Sequence, residues 1–261
     1  MKYLTMTLLF IGLLALGARA EDENPAGEGD GAAPELDGAK LLADLTAANA
    51  AKDSDAAAML LDKISQFAKT AKDNKLTEPL GKELTSSYKI AKGNWGTMRK
   101  ILDTLGELRS KKALSALKKV AYAKKVKDDD HETLQIHAIG AIGAYADSKQ
   151  IDSLVDMTKN TNTKIAIAAY SAFKNYGVAK GKDRKKVAEE LMKRLESENP
   201  YTTSSSGNNP GAAAIERWGL VQKPVVDSMQ AVCREATIND LDNWREWWKE
   251  NKKNRKAWKD K

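Results

Sequence analysis

The chain predicts an all-α fold, an α-solenoid of stacked antiparallel helix pairs, on three observations. Apolar residues return at three- and four-residue intervals from residue 41 onward, and no alternating polar–apolar run marks a strand. A thirteen-residue stretch, Leu105–Leu117 (LGELRSKKALSAL), is echoed 37 positions later by Ile142–Leu154 (IGAYADSKQIDSL). In that echo Leu105 aligns with Ile142, Gly106 with Gly143, Lys112 with Lys149, Leu114 with Ile151 and Leu117 with Leu154. The face Leu134, Ala138, Ile142 and Tyr145 returns at an offset of 31 as Ile165, Ala169, Phe173 and Tyr176. A period of roughly 30 to 45 residues in a helical chain is the mark of stacked hairpins, each burying a face that it cannot bury alone.

The elements follow in order. Residues 1–20 read as a secretory signal peptide: Lys2 supplies the positive start, Met6–Leu16 the apolar run, and Ala18-Arg19-Ala20 the small-x-small cleavage site. Residues 21–38 hold seven acids (Glu21, Asp22, Glu23, Glu28, Asp30, Glu35 and Asp37) and no base. With so few large apolar groups this stretch predicts a disordered acidic linker. The repeat domain is expected over 39–261. Leu41, Leu42 and Leu45, then Met59, Leu60, Ile64 and Phe67, predict a first helical pair with an N-cap at Asp53-Ser54. Pro79 predicts a helix start leading to Ile90. Trp95 to Leu108 predicts one helix, a tight turn near Ser110 follows, and Leu114, Leu117, Val120 and Ala121 mark its return. The next pair is expected on either side of Asp147-Ser148, its first helix capped by Asp130. The small row Ala138, Gly140, Ala141, Gly143 and Ala144 predicts close approach of a neighbouring backbone. A third pair runs from Thr163 through a turn at Gly177–Lys182 to Leu195. Residues 199–211 (NPYTTSSSGNNPG) predict a surface loop, Pro224 a helix opening at its tolerated first position, and Thr237 or Asn239 the start of the last helix.

Charge and chemistry narrow the function. The sequence carries 43 bases and 36 acids. Two of the bases fall in the leader and seven of the acids in the linker, so residues 39–261 hold 41 bases against 29 acids, a net +12. A basic body suits acidic protein partners. Nothing after the leader offers eighteen consecutive apolar residues, so no transmembrane segment is expected in the mature chain, and export argues against nucleic acid as the partner. Cys233 is the single cysteine, so no intramolecular disulfide forms; it reads as a buried apolar residue. Asp128-Asp129-Asp130-His131 lacks the alternating ligands of a calcium loop, and no nucleophile elbow or phosphate loop occurs. The sequence therefore predicts no enzyme, no cofactor and no metal.

Trp244, Trp247 and Trp248 stand at i, i+3 and i+4, on one side of a helix, with Trp258 beyond. Each ring can bury about 150–250 Å², which suits a cap (237–261) closing the last repeat; the alternative is an aromatic platform for a ligand. The paired helices of 95–197, with Asp in the intra-pair turn and Lys near the start of the second helix, resemble HEAT and armadillo-like repeats. The ending W-x-x-W-W-x-x-N (Trp244 to Asn251) resembles that of some secreted bacterial HEAT-repeat proteins. The resemblance implies an exported scaffold or adaptor, periplasmic or extracellular. It further implies that the second helix of each pair lines a concave face, placing Lys112, Lys119, Lys149, Lys186 and Lys193 at the partner-binding surface. A second possibility is a binding module for an envelope or extracellular polyanion or glycan, with Trp248 and Trp258 as stacking groups.

Overall fold

The computed structural model describes residues 36–70, 75–123, 128–203 and 210–260; the signal-peptide reading and almost all of the acidic linker lie outside them. Among the described residues every regular element is helical. The α-helices are α1 (Gly38–Ala51), α2 (Ser54–Thr70), α3 (Thr77–Ile90), α4 (Trp95–Leu108), α5 (Lys111–Ala121), α6 (Asp129–Ala144), α7 (Ile151–Thr158), α8 (Thr163–Ala172), α9 (Gly181–Glu198), α10 (Pro200–Thr203), α11 (Ala212–Cys233) and α12 (Leu241–Asn251). Short 3-10 helices precede α7 (Ser148–Gln150) and follow α8 (Phe173–Val178).

Polar caps set most of the starts. Asp53 Oδ1 accepts from the amides of Asp55 (3.1 Å) and Ala56 (2.9 Å), and Ser110 Oγ accepts from Ala113 N (3.1 Å). Asp37 Oδ1 takes the amides of Ala39 (2.9 Å) and Lys40 (3.1 Å), so α1 begins inside the stretch assigned to the linker. Helix α6 starts two residues earlier than expected: Asp128, with Oδ1 2.9 Å from His131 N, is the cap, and Asp130 belongs to the first turn. Three acids in that turn complement the positive end of the helix dipole. Asp240 caps α12 through Asn243 N at 2.9 Å, later than Thr237 or Asn239.

Tertiary burial overrides one local signal. Pro224 does not open a helix; it lies inside the continuous 22-residue α11. A mid-helix proline costs roughly 3 kcal/mol, but Trp218 and Val221 before it and Val225, Val226 and Met229 after it are all buried, and α11 packs on both α8 and α9. Breaking the helix would expose one of those groups, each worth about 1.5–3 kcal/mol of burial. The 199–211 loop contains a further turn of helix, α10.

Each helix packs on its near neighbours in the chain. Contacts join α1 to α2 and α3, α2 to α4, α3 to α4 and α5, α4 to α5 and α6, α6 to α8, and α8 to α11. A single buried cluster runs through them, from Leu41 to Trp244. The 37-residue echo has a physical meaning in this packing. A Cβ on Gly106 would lie 2.9 Å from Ala141 Cβ and 3.0 Å from its Cα; one on Gly143 would lie 2.6 and 2.8 Å from the same atoms of Ala172. Both glycines mark the crossing of one helix on the next, α4 on α6 and α6 on α8. Gly140 does not share that role, since a Cβ there meets nothing within 4 Å. The 31-residue offset has its own counterpart. Tyr145 Oη donates to Ser110 O (3.1 Å) and Leu105 O (3.1 Å), while Tyr176 Oη donates to Asp147 O (2.8 Å). Ser110 and Asp147 are equivalent turn residues in the echo, so successive pairs are tied by the same bond.

Candidate functional site

The five lysines singled out by the sequence fall into two groups. Lys186 and Lys193 lie exposed on α9 and are committed within the chain: Lys186 Nζ is 2.7 Å from Asp152, and Lys193 Nζ is 2.7 Å from Glu190 and 3.4 Å from Glu189. Exposed pairs of this kind hold by about 0–1 kcal/mol each, so they are exchangeable. Lys112 and Lys119 on α5 and Lys149 before α7 are exposed and have no carboxylate partner among the described residues.

Lys112 belongs to a cleft of about 720 Å³ between α1, α3 and α5. Leu42 and Pro79 form apolar parts of its lining, and Lys82, Lys111 and Lys112 also line it. Its two acids are held by local donors. Glu78 accepts the α5 amides of Lys111 (2.7 Å) and Lys112 (3.0 Å), satisfying N–H groups that a helix start leaves open. Glu83 Oε2 accepts from Asn49 Nδ2 (3.0 Å). The three lysines have no carboxylate partner among the described residues, and with two carboxylates in the lining they leave the cleft a net positive charge of one.

A second hollow, about 360 Å³, brings Lys193 beside Trp248, between α9 and the C-terminal segment. Met192, Lys185 and Lys252 share its lining; the carboxylate of Glu196, also there, is 3.3 Å from Arg245 Nε. Sequence reading placed Lys193 and Trp248 in separate candidate sites, and the packing of α12 on α9 joins them.

The four C-terminal tryptophans form a ladder of edge contacts. Trp244 meets Trp247 (centroids 5.7 Å apart, planes at 79°), Trp247 meets Trp258 (5.9 Å, 82°), and Trp258 meets Trp248 (6.1 Å, 76°). Trp244 is 0% exposed and offers no face to a ligand; the other three are half-buried. Asn251 braces the end: its Nδ2 donates to Trp247 O and its carbonyl accepts from Trp258 Nε1, both at 2.9 Å.

Arg184 lies on α9 beside Lys185 and Lys186 but is enclosed by the fold. It is 0% exposed. Its guanidinium donates to Val232 O (3.1 Å) and Lys259 O (2.9 Å) and sits 5.8 Å from the Trp258 ring centroid. Burial pulls its pKa below the ordinary arginine value, with the nearby Arg234 charge acting in the same sense. Asp260 reaches over to accept from the amide of Gly181, the first residue of α9. The C-terminal strand of chain is thus stitched to the start of α9 and the end of α11. Arg217 makes a comparable link: Nε lies 2.8 Å from Glu198 Oε2, while Nη1 and Nη2 reach Asn160 O (3.1 Å) and Thr158 O (3.2 Å). Neither arginine has a motif around it, and the only signal is arginine in a chain whose bases are mostly lysine; a planar five-donor group suits converging carbonyls and carboxylates.

The other candidates have local roles. Asp128 pairs with His131 Nδ1 at 2.7 Å, and the amide and ring bonds from His131 hold its carboxyl below the usual range. Among the described residues no group of three His, Cys, Asp or Glu side chains is arranged to hold a metal ion. Cys233 is buried, and burial pushes its thiol well above the ordinary value. No helix is long and apolar enough to cross a membrane among the described residues. No protein-family model matches the chain, and no curated protein or solved structure matches it significantly.

Proposed function

We propose that this chain is an exported, non-catalytic scaffold, a HEAT-like solenoid that binds an acidic protein partner through the lysine-bearing face of its return helices. The observation that carries the reading is the α1–α3–α5 cleft, where Lys82, Lys111 and Lys112 stand unpaired among the described residues while Glu78 and Glu83 are occupied by local donors. An acidic segment entering it gains two or three ion contacts without first breaking any. Cross-linking coupled to mass spectrometry in the native compartment tests this. Partners are expected on Lys82, Lys111 and Lys112, and the triple charge reversal K82E/K111E/K112E abolishes capture, as does raising salt well past the point where the Debye length falls to about 3 Å, near 1 M. Capture that survives both sinks the reading.

The Lys193–Trp248 hollow supports a second reading, a polyanion or glycan module, because it sets an indole beside several ammonium groups. There, Trp248→Ala and Lys193→Glu lower binding of a sulfated or uronic oligosaccharide while K82E/K111E/K112E leaves it unchanged.

A further inference from the structure

A third cavity, with no residue in common with either hollow, lies where the end of α3, the start of α4 and the start of α6 meet. Its volume, about 550 Å³, is within the range of roughly 300–1,000 Å³ typical of small-molecule sites. Tyr88, Trp95, Met98 and Leu134 supply an aromatic and aliphatic lining, and Lys89 and Lys92 stand at it as exposed cations. Among the described residues no carboxylate lines the cavity and none pairs with either lysine.

The aromatic wall is fixed before any ligand arrives. The Trp95 indole is met edge-on by the His131 imidazole, with centroids 5.0 Å apart and planes at 64°. Asp128 anchors His131 twice, by the amide at 2.9 Å and by ring Nδ1 at 2.7 Å. Trp95 is also the first residue of α4, whose start is set by Asn94 Oδ1 accepting from Thr97 N (3.2 Å). An apolar surface held open in this way, with two unpaired cations beside it, suits one ligand chemistry. The flat or aliphatic body displaces water from Tyr88, Trp95 and Met98, and the anionic head meets the lysines.

We infer that the α3–α4–α6 cavity is a binding site for a small organic anion with an apolar body, an aromatic or aliphatic carboxylate or sulfonate. The site is independent of the proposed partner cleft, and its failure would leave that reading untouched. The probe is 2-naphthoate, titrated into the full chain by isothermal calorimetry beside its neutral analogue 2-naphthamide and beside acetate. Naphthoate is expected to bind one site with a Kd on the order of 0.1 mM, the naphthamide more weakly, and acetate not at all. Lys89→Met with Lys92→Met weakens naphthoate roughly 5- to 10-fold, the scale of two exposed ion contacts, and leaves the naphthamide unchanged. Trp95→Leu weakens both aromatic probes, and circular dichroism confirms that each variant folds. Absence of naphthoate binding, or binding that neither the lysine nor the tryptophan variant alters, overturns the assignment. Loss of naphthoate binding in K82E/K111E/K112E would place the anion in the partner cleft instead and overturn it equally.

Discussion

Gly143 and Gly140 lie one turn apart on α6, and alanine at the two positions has opposite effects. Both substitutions add helix propensity, worth about 1 kcal/mol for glycine to alanine in a helix interior. At Gly140 the new methyl enters open space, so that gain stands. At Gly143 it would lie 2.6 Å from Ala172 Cβ and 2.8 Å from both Ala172 Cα and O. These atoms belong to or adjoin the α8 backbone, which yields only if the two helices part by about 1 Å from their present contact. Overpacking costs about 1–3 kcal/mol, and backbone obstruction puts this case near the upper end, leaving a net loss of roughly 2 kcal/mol. For a chain of this size 1 kcal/mol moves Tm by about 2–4 °C. Followed by circular dichroism on heating, Gly143→Ala is expected to melt roughly 4–8 °C lower and Gly140→Ala about 2–4 °C higher than the native chain. Gly106→Ala, against Ala141 at 2.9 Å, falls on the Gly143 side. If Gly143→Ala melts at or above the native temperature, the helices are not in backbone contact at that point and the reading of the echo fails.

Other outcomes are equally specific. Arg184→Met strands the carbonyls of Val232 and Lys259 and frees the tail, costing about 1–3 kcal/mol by urea denaturation; protease should then cut at Lys252 or Lys253 far faster, and an unchanged midpoint with unchanged cleavage would refute the latch. Tyr145→Phe removes the hydroxyl shared between Ser110 O and Leu105 O, and Tyr176→Phe the bond to Asp147 O, each at a cost of roughly 1 kcal/mol, with no effect on the midpoint counting against the shared-tether account. The Cys233 thiol keeps its proton in the folded state, because burial raises its pKa, whereas the unfolded thiol ionises above about 8.5. The corresponding stability is intact below that pH and falls as pH rises past it. A thiol reagent at pH 8 should label Cys233 only on unfolding, and rapid labelling of the folded chain would contradict its burial.

Much of the fold is legible along the chain because helix formation is decided by local spacing. The faces from Trp95 to Leu108 and from Leu134 to Tyr145, the Ser110 cap and the turn at Asp147 all follow from periodicity and from polar side chains that satisfy open amides. Apart from helix starts moved by a few residues through local caps, the errors occur where partners distant in sequence decide the outcome. Pro224 reads as a helix start because its ring removes an amide donor, yet burial of Trp218, Val221 and Val225 on both sides keeps α11 whole. Gly140 and Gly143 look alike in a small-residue row, and only the path of α8 separates them.

The candidate sites divide in the same way. Composition showed that the folded part is basic, and the spacing of Trp244, Trp247 and Trp248 that three rings share a helix face. Which lysines stand unpaired depended on acids some thirty or more residues away, as Lys186 with Asp152 shows. Arg184 illustrates the division most plainly. Beside Lys185 and Lys186 it reads as one more exposed base, but the folded chain encloses it because carbonyls 48 and 75 residues away converge on one guanidinium. Local spacing determined the helices, the turns and the sign of the charge. Tertiary packing decided which charges are buried, which are paired and which remain to meet a ligand, because hydrogen bonding and desolvation depend on neighbours that the linear order does not supply.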